Sequence, residues 1–324
     1  MLSFGIDTEC LHLWLQNKKL DIFGFIDITE ELGAQGIMIN LIAKKNQDDG
    51  LGALGVDTPS NIQKVADYLE TKGMFVELAT RGTNPEHLTH IIDVAQKLGA
   101  KVIRTFVMSG GGYSDRELSG KFDKAVFEKA ADELKKMVPL LEKTGIELGI
   151  ENHELETTKE VVGLVEEVNS NQVGVHFDVG NTIMAWENPI DGLKTALPYI
   201  KSTHIKDHVV IKVDGELYVC GVPCGEGNID LNKICQELKK TNLEHIIIEM
   251  CYPYAAPFRR PLGTGGVTET DGVFRIEKPP FDTDFVKPLD YYTYEGKDLE
   301  LLMDAQIQGL KTSVNTIKKI LGEK

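Results

Sequence analysis

Gly149-Ile150-Glu151-Asn152-His153 closes a short apolar run that begins at Ile146, and the run stops on a carboxylate. The same event recurs three more times. Val173-Gly174-Val175-His176-Phe177 runs into Asp178, Ile200-Lys201-Ser202-Thr203 into His204, and His245-Ile246-Ile247-Ile248 into Glu249. Short runs rich in β-branched residues and bounded by turn residues read as buried strands. Successive strands that each end on a group able to ligate a divalent metal imply a scaffold that gathers strand ends.

The rest of the chain supplies that scaffold. Upstream, strands are expected at Leu2 to Ile6, Gly36 to Asn40, Met74 to Ala79 and Lys101 to Val107. Helical patterns fall between them: Leu11 to Leu32 with an interruption at Gly24, one that starts at Asp57-Thr58-Pro59 and ends just before Gly73, one that Asn84-Pro85-Glu86 opens and that runs through Leu98, and Phe122 to Lys143. Proline in the first turn and glycine just past the end mark their limits. Downstream, helices are expected over Thr157 to Val168, within Asn181 to Leu197, over Asp230 to Lys240 and over Asp298 to Leu321, with a hairpin-like insertion at Val209 to Val222. Asp48 to Gly55 and Ser109-Gly110-Gly111-Gly112 read as loops.

Strands that lack polar/apolar alternation and take turns with helices belong to parallel sheets covered on the outside. Eight such beats predict a single (β/α)8 TIM barrel over residues 1–324. A doubly wound open sheet is the alternative, but it collects its site at one switch point. One segment breaks the beat. Residues 252–295, between the eighth strand and the last helix, carry Pro253-Tyr254-Ala255-Ala256-Pro257-Phe258-Arg259-Arg260-Pro261 and Lys278-Pro279-Pro280-Phe281. A structureless excursion of that length at the catalytic face predicts a lid or a partner-docking arm, with a solvated insertion as the plainer reading.

Composition narrows the partners. A formal net charge of −15 repels phosphate backbones and anionic lipid, so neither nucleic acid nor a membrane surface is expected. No apolar run is long enough for a bilayer, and the N-terminus has no basic region of the kind that opens a signal peptide. Cys10, Cys220, Cys224, Cys235 and Cys251 are scattered and odd in number. Free thiols in a reducing cytoplasm follow, with a Cys220–Cys224 disulfide as the secondary reading.

A barrel takes its catalytic groups from the C-terminal ends of its strands. Glu151, Asp178, His204 and Glu249 are therefore expected to hold one divalent metal. Three carboxylates and an imidazole form a hard donor set that suits Mn²⁺, Mg²⁺ or Co²⁺. A single acidic strand end is ordinary cap chemistry, but three carboxylates packed together are costly without a cation. Glu151 and Glu249 flank the metal and are also candidates for proton transfer. His153, two residues beyond Glu151, falls on the same side if the chain stays extended. It is either a catalytic base or a ligand of its own loop. His176 points into the barrel below Asp178 and suits a hydrogen-bonding role behind the ligands. Lys206 either binds substrate oxygen or pairs with a carboxylate, Asp207 supports the loop, and Glu226 either reaches the mouth or shapes its loop.

Glu151-Asn152-His153, Phe177-Asp178-Val179-Gly180-Asn181, His204-Ile205-Lys206-Asp207, Gly225-Glu226-Gly227 and Ile248-Glu249 together resemble the xylose-isomerase-like sugar isomerase/epimerase superfamily. That resemblance covers the whole barrel. It implies one divalent ion, usually Mn²⁺, on the four matching positions. It also implies a keto-sugar substrate held through two adjacent oxygens, and carboxylates that move a proton through an enediolate. The superfamily's abasic-site endonuclease branch needs further histidines on early strands, where this chain has Asn40, Ala79 and Val107.

Within the arm, Tyr252-Pro253-Tyr254, Arg259-Arg260 and Gly263-Thr264-Gly265-Gly266 resemble the α subunit of bacterial C-glycoside deglycosidases. This resemblance implies cleavage of the carbon–carbon glycosidic bond of 3-oxo-C-glucosides, His153 as base, and a hetero-oligomer with a small β subunit. A sugar isomerase or epimerase active alone, and a non-catalytic sugar-binding or assembly protein, are the other readings.

Overall fold

Eight short strands pair edge to edge, every one parallel to its neighbours, and close on themselves. In chain order they are β1 (Ser3–Asp7), β2 (Gly36–Asn40), β3 (Phe75–Ala79), β4 (Val102–Thr105), β5 (Glu147–Glu151), β6 (Val173–Asp178), β7 (Ile200–Ile205) and, after an antiparallel hairpin of β8 (Asp207–Val213) and β9 (Glu216–Val222), β10 (His245–Ile248). β10 closes the ring against β1, with Ser3 opposite His245 and Ile6 opposite Ile248. The protein is thus a (β/α)8 barrel. The computed structural model describes residues 2–41, 59–107, 122–258, 260–280 and 296–322. The two glycine-rich loops, Arg259, Phe281 and the stretch through residue 295 lie outside the described residues.

The helices form where caps and apolar faces agree. Thr157 and Glu160 make a reciprocal capping box at the start of Thr158–Val168. Asn84 caps Pro85–Leu98, and Gly99 ends it in the left-handed conformation at φ 77°. Two expected helices divide. Leu11 to Leu32 breaks before Gly24, because Lys18 turns the chain at φ 55° and Asp21 then caps Ile22–Glu31 by accepting the Gly24 N–H at 2.8 Å. Asn181 to Leu197 divides into Asn181–Met184 and Pro189–Ala196, where Asn188 caps the second piece and Pro189 opens it.

The barrel interior is unusually polar. Its apolar part is a small plug of Met38, Ala79 and Ile247 against Phe75. A side chain at Gly36 would overlap the Phe75 ring, so the glycine makes room for it. At the base, buried Glu77 accepts a hydrogen bond from Ser202 Oγ at 2.5 Å and pairs with His245 Nε2 at 2.5 Å. Burying charge demands such pairing.

The arm is not structureless. β11 (Ala255–Pro257) adds antiparallel to β9, and β12 (Ile276–Glu277) adds parallel to β8, which turns the hairpin into a four-stranded sheet. Arg260 ties the arm to the barrel, donating to Leu155 O at 2.9 Å and pairing with Glu160 at 3.1 Å. Trp186 stacks on Phe258 at 3.8 Å and donates its indole N–H to Arg260 O at 3.0 Å.

Candidate metal centre at the barrel mouth

The parallel register sets Asp178 of β6 opposite His204 of β7, and His204 opposite Ile247 of β10. Glu151 ends β5, and Glu249 follows β10 immediately. Their side chains converge. His204 Nδ1 lies 3.3 Å from Glu151 Oε1, 3.5 Å from Asp178 Oδ2 and 3.4 Å from Glu249 Oε2. All four residues are buried, and Nδ1 makes no hydrogen bond.

The donor chemistry fits a divalent cation. Donors about 2.1 Å from an ion in octahedral coordination stand roughly 3 Å apart, close to the spacing around Nδ1. Charge bookkeeping agrees. Asp7, Glu151, Asp178 and Glu249 bring four carboxyl groups to the buried cluster, which outnumber its three basic side chains, Arg104, Lys206 and His204. Donor atoms within 4.8 Å of one another group as Asp7, His204 and Glu249, and as Glu151, His176 and His204; His204 is common to both and Asp178 belongs to neither. Asp7, which meets His204 at Nε2, 3.3 Å away, and not at Nδ1, was not among the expected ligands. Its signal was present, because the Leu2 to Ile6 run stops on a carboxylate as the later runs do.

Neighbouring backbone locks these ends. Asn152 Nδ2 donates to Asp178 O at 2.9 Å, and its Oδ1 accepts the Asp178 N–H at 2.9 Å. Asn181 N–H donates to Asp178 Oδ1 at 2.8 Å. Lys206 Nζ sits 2.7 Å from Asp178 Oδ2 and 2.5 Å from Glu249 Oε2, so the carboxylate-pairing role is the one the geometry displays. Arg104, a lone basic residue in a buried strand, pairs with Glu151. Its guanidinium lies over Phe106 at 4.9 Å, and Phe106 in turn stacks on His153 at 4.0 Å.

The electrostatics follow from this crowding. Burial alone would lower His204, but Glu249 and the adjacent carboxylates of Asp178, Asp7 and Glu151 hold it well above the ordinary imidazole range. Lys206 is likewise disfavoured by burial yet held well above its usual range by Asp178 and its acidic neighbours. Burial raises Asp178, but Lys206 and His204 outweigh it and keep the carboxyl well below the usual range. Burial, Glu249 and Asp7 push Glu9 up to about 8, although a quarter of its side chain stays open to solvent. Metal binding at such a site displaces protons.

The remaining expected residues fall into different places. His176 lies in the barrel beneath the ligands, its ring edge-on to His204 at 4.2 Å, with neither nitrogen hydrogen-bonded. His153 is half-buried on Phe106 beside the cluster. Glu226 is exposed and does not join it. Its loop is pinned by Asp207, which accepts the backbone N–H groups of His208, Gly225, Gly227 and Ile229 at 2.9 to 3.2 Å. All five cysteines are free.

A xylose isomerase-like TIM barrel model matches residues 26–266. The chain belongs to the xylose isomerase-like TIM barrel family. Within it, this barrel is similar to the 3-oxo-isoapionate decarboxylase of Pectobacterium atrosepticum, 26% identical over 254 residues that cover 76% of this chain and 85% of the relative. It is also similar to an inosose dehydratase of Clostridium botulinum, 28% identical over 177 residues, 47% of this chain and 57% of the relative. The crystal structure of the IOLI protein with a bound zinc atom superposes with a TM-score of 0.60 at 17% identity, covering 98% of this chain and 99% of that one. Among the described residues no helix is long and apolar enough to cross a membrane.

Proposed function

We propose that this barrel is an enzyme that uses one divalent metal, Mn²⁺ first, to remove a proton from the carbon beside the carbonyl of a keto-sugar. The observation that carries the reading is the ring of Glu151, Asp178 and Glu249 oxygens around His204 Nδ1. When bound, the metal supplies Lewis-acid polarisation of a carbonyl and its neighbouring hydroxyl. The similarity to proteins named a decarboxylase and a dehydratase supports bond-breaking chemistry on such substrates.

The finer reading is cleavage of the carbon–carbon glycosidic bond of a 3-oxo-C-glucoside. His153, held flat on Phe106, takes the C2 proton that the C3 carbonyl makes acidic. Glu151 and Glu249 are the flanking carboxylates able to take up or return a proton. Lys206 and Arg104 place positive charge where negative charge develops on oxygen. The electron pair left at C2 then forms the C1–C2 double bond, the bond from C1 to the aglycone breaks, and the aglycone carbon leaves with the two electrons of that broken bond and takes up a proton. In this reading the arm of residues 252–295 serves as a lid or as the dock for a small β subunit.

The test is incubation of Mn²⁺-loaded protein with a 3-oxo-C-glucoside in D₂O, with and without a candidate β subunit. Release of free aglycone supports the lyase. Deuterium entering the sugar without release moves the protein to the isomerase or epimerase reading. Neither event, in the presence of metal and partner, contradicts the enzymatic proposal and favours a sugar-binding protein.

A further inference from the structure

Beyond Ile205 the chain stays extended into β8, so alternate residues share a side. His204 and Lys206 face the buried cluster, whereas Ile205 packs in the core and Asp207 turns to the loop at Gly225 to Ile229. His208 is next on the inward side. Only 6% of it is exposed. Its ring lies in a seat made by Gly180, where a Cβ would overlap the imidazole and also the Lys206 side chain. Nδ1 is sealed from solvent and has no hydrogen-bond partner. Nδ1 packs against Gly180 and is closed to a ligand, so it is the unpaired Nε2 edge, which is not sealed, that can meet one.

We infer that His208 is a substrate-binding residue that hydrogen-bonds an uncharged hydroxyl of the sugar, with Gly180 as the seat that holds its ring at the mouth. Burial first, and then the charge of Lys206, push its pKa down to about 4, against the pull of Asp178, Glu249 and Glu154. At neutral pH the imidazole is therefore uncharged, with one nitrogen donating and the other accepting. That pattern matches a hydroxyl, which also does both, and offers nothing selective to a phosphate or carboxylate. The assignment rests on the keto-sugar reading above and adds a specificity contact to it.

The experiment compares wild type, His208→Leu, His208→Gln and Gly180→Ala as Mn²⁺-loaded protein. The probes are the 3-oxo-C-glucoside and its single-deoxy analogues, read by solvent deuterium exchange. His208→Leu should raise KM about tenfold with kcat little changed and Mn²⁺ affinity, measured by calorimetry, unchanged. His208→Gln should recover part of the loss, and Gly180→Ala, which displaces Lys206 as well as the ring, should add a loss of Mn²⁺ affinity to it. One deoxy analogue should lose the same factor with wild type and nothing further with His208→Leu. Additive losses on every analogue would overturn the assignment. Nitrogen-15 spectra of the His208 ring in Mg²⁺-loaded protein, titrated with D-glucose and D-fructose, separate the two claims. A shift without any turnover keeps the hydroxyl contact and removes the keto-sugar chemistry. No shift with either sugar, alongside normal turnover by His208→Leu, overturns the contact and leaves the chemistry standing.

Discussion

Lys206 and Glu249 meet at 2.5 Å, Nζ to Oε2, with both side chains shielded from solvent, and the same ammonium reaches Asp178 at 2.7 Å. A buried charge pair is weak evidence for stability by itself, but removing one partner leaves uncompensated charge. Lys206→Met should therefore destabilise the metal-free protein by about 3–5 kcal/mol. A divalent cation replaces much of the lost positive charge, so the deficit should shrink in Mn²⁺. Denaturant unfolding in EDTA and in Mn²⁺ checks this. An equal deficit in both would show that the ammonium and the metal do not share the two carboxylates.

Asp207 and Asp178 predict opposite phenotypes although both are buried acids at the mouth. Asp207 holds four backbone N–H groups, whereas Asp178 Oδ2 faces His204 Nδ1 and Lys206. Asp207→Ala strands those donors and should cost about 3 kcal/mol or more in unfolding free energy, with metal affinity close to wild type. Asp178→Ala should instead abolish tight metal binding. Thermal unfolding and calorimetric Mn²⁺ titration of both variants separate the two roles.

Acid sensitivity has a named contributor in His208. Its folded pKa of about 4 lies below the usual 6.5. The unfolded chain therefore binds the extra proton between those values, and stability falls as pH drops from about 6.5 toward 4. The full effect is of the order of 3 kcal/mol. His208→Gln should flatten the pH dependence of unfolding in that window, measured in urea from pH 4 to 7. An unchanged slope would mean that the ring is not buried as a neutral imidazole.

The arm's attachment is testable separately. Arg260→Ala removes the contacts to Leu155 O and Glu160. Limited proteolysis should then cut within residues 255–277 at least several-fold faster, while cleavage elsewhere stays at the wild-type rate. Equal rates would assign the arm's anchorage to Trp186 and the sheet pairing instead.

The barrel was legible because its strands are short apolar runs between capped helices, a local pattern that survives folding. The gathering of Glu151, Asp178, His204 and Glu249 was legible for the same reason, since each closes such a run. Asp7 obeys that rule too, but its approach to His204 depends on the closure of β10 against β1, which no local pattern announces. Arg104 left only one signal, a charge inside an otherwise buried strand. The order within the arm was not legible: β11 and β12 are fixed by pairing with β9 and β8, which no local pattern announces. Phe106 and His153 likewise come from different strand ends, so their stacking appears only when β4 and β5 are side by side. The helix break ahead of Gly24 followed the Asp21 cap instead of the glycine, because a capped first turn tolerates glycine.

The proposed chemistry depends on one divalent ion at the four strand ends. Protein stripped with EDTA and titrated with Mn²⁺ by calorimetry, with elemental analysis of the product, tests it against His204→Ala. About one ion per wild-type chain is expected, with binding roughly a hundredfold weaker in the variant. No uptake by wild type, or uptake that His204→Ala leaves unchanged, would contradict it.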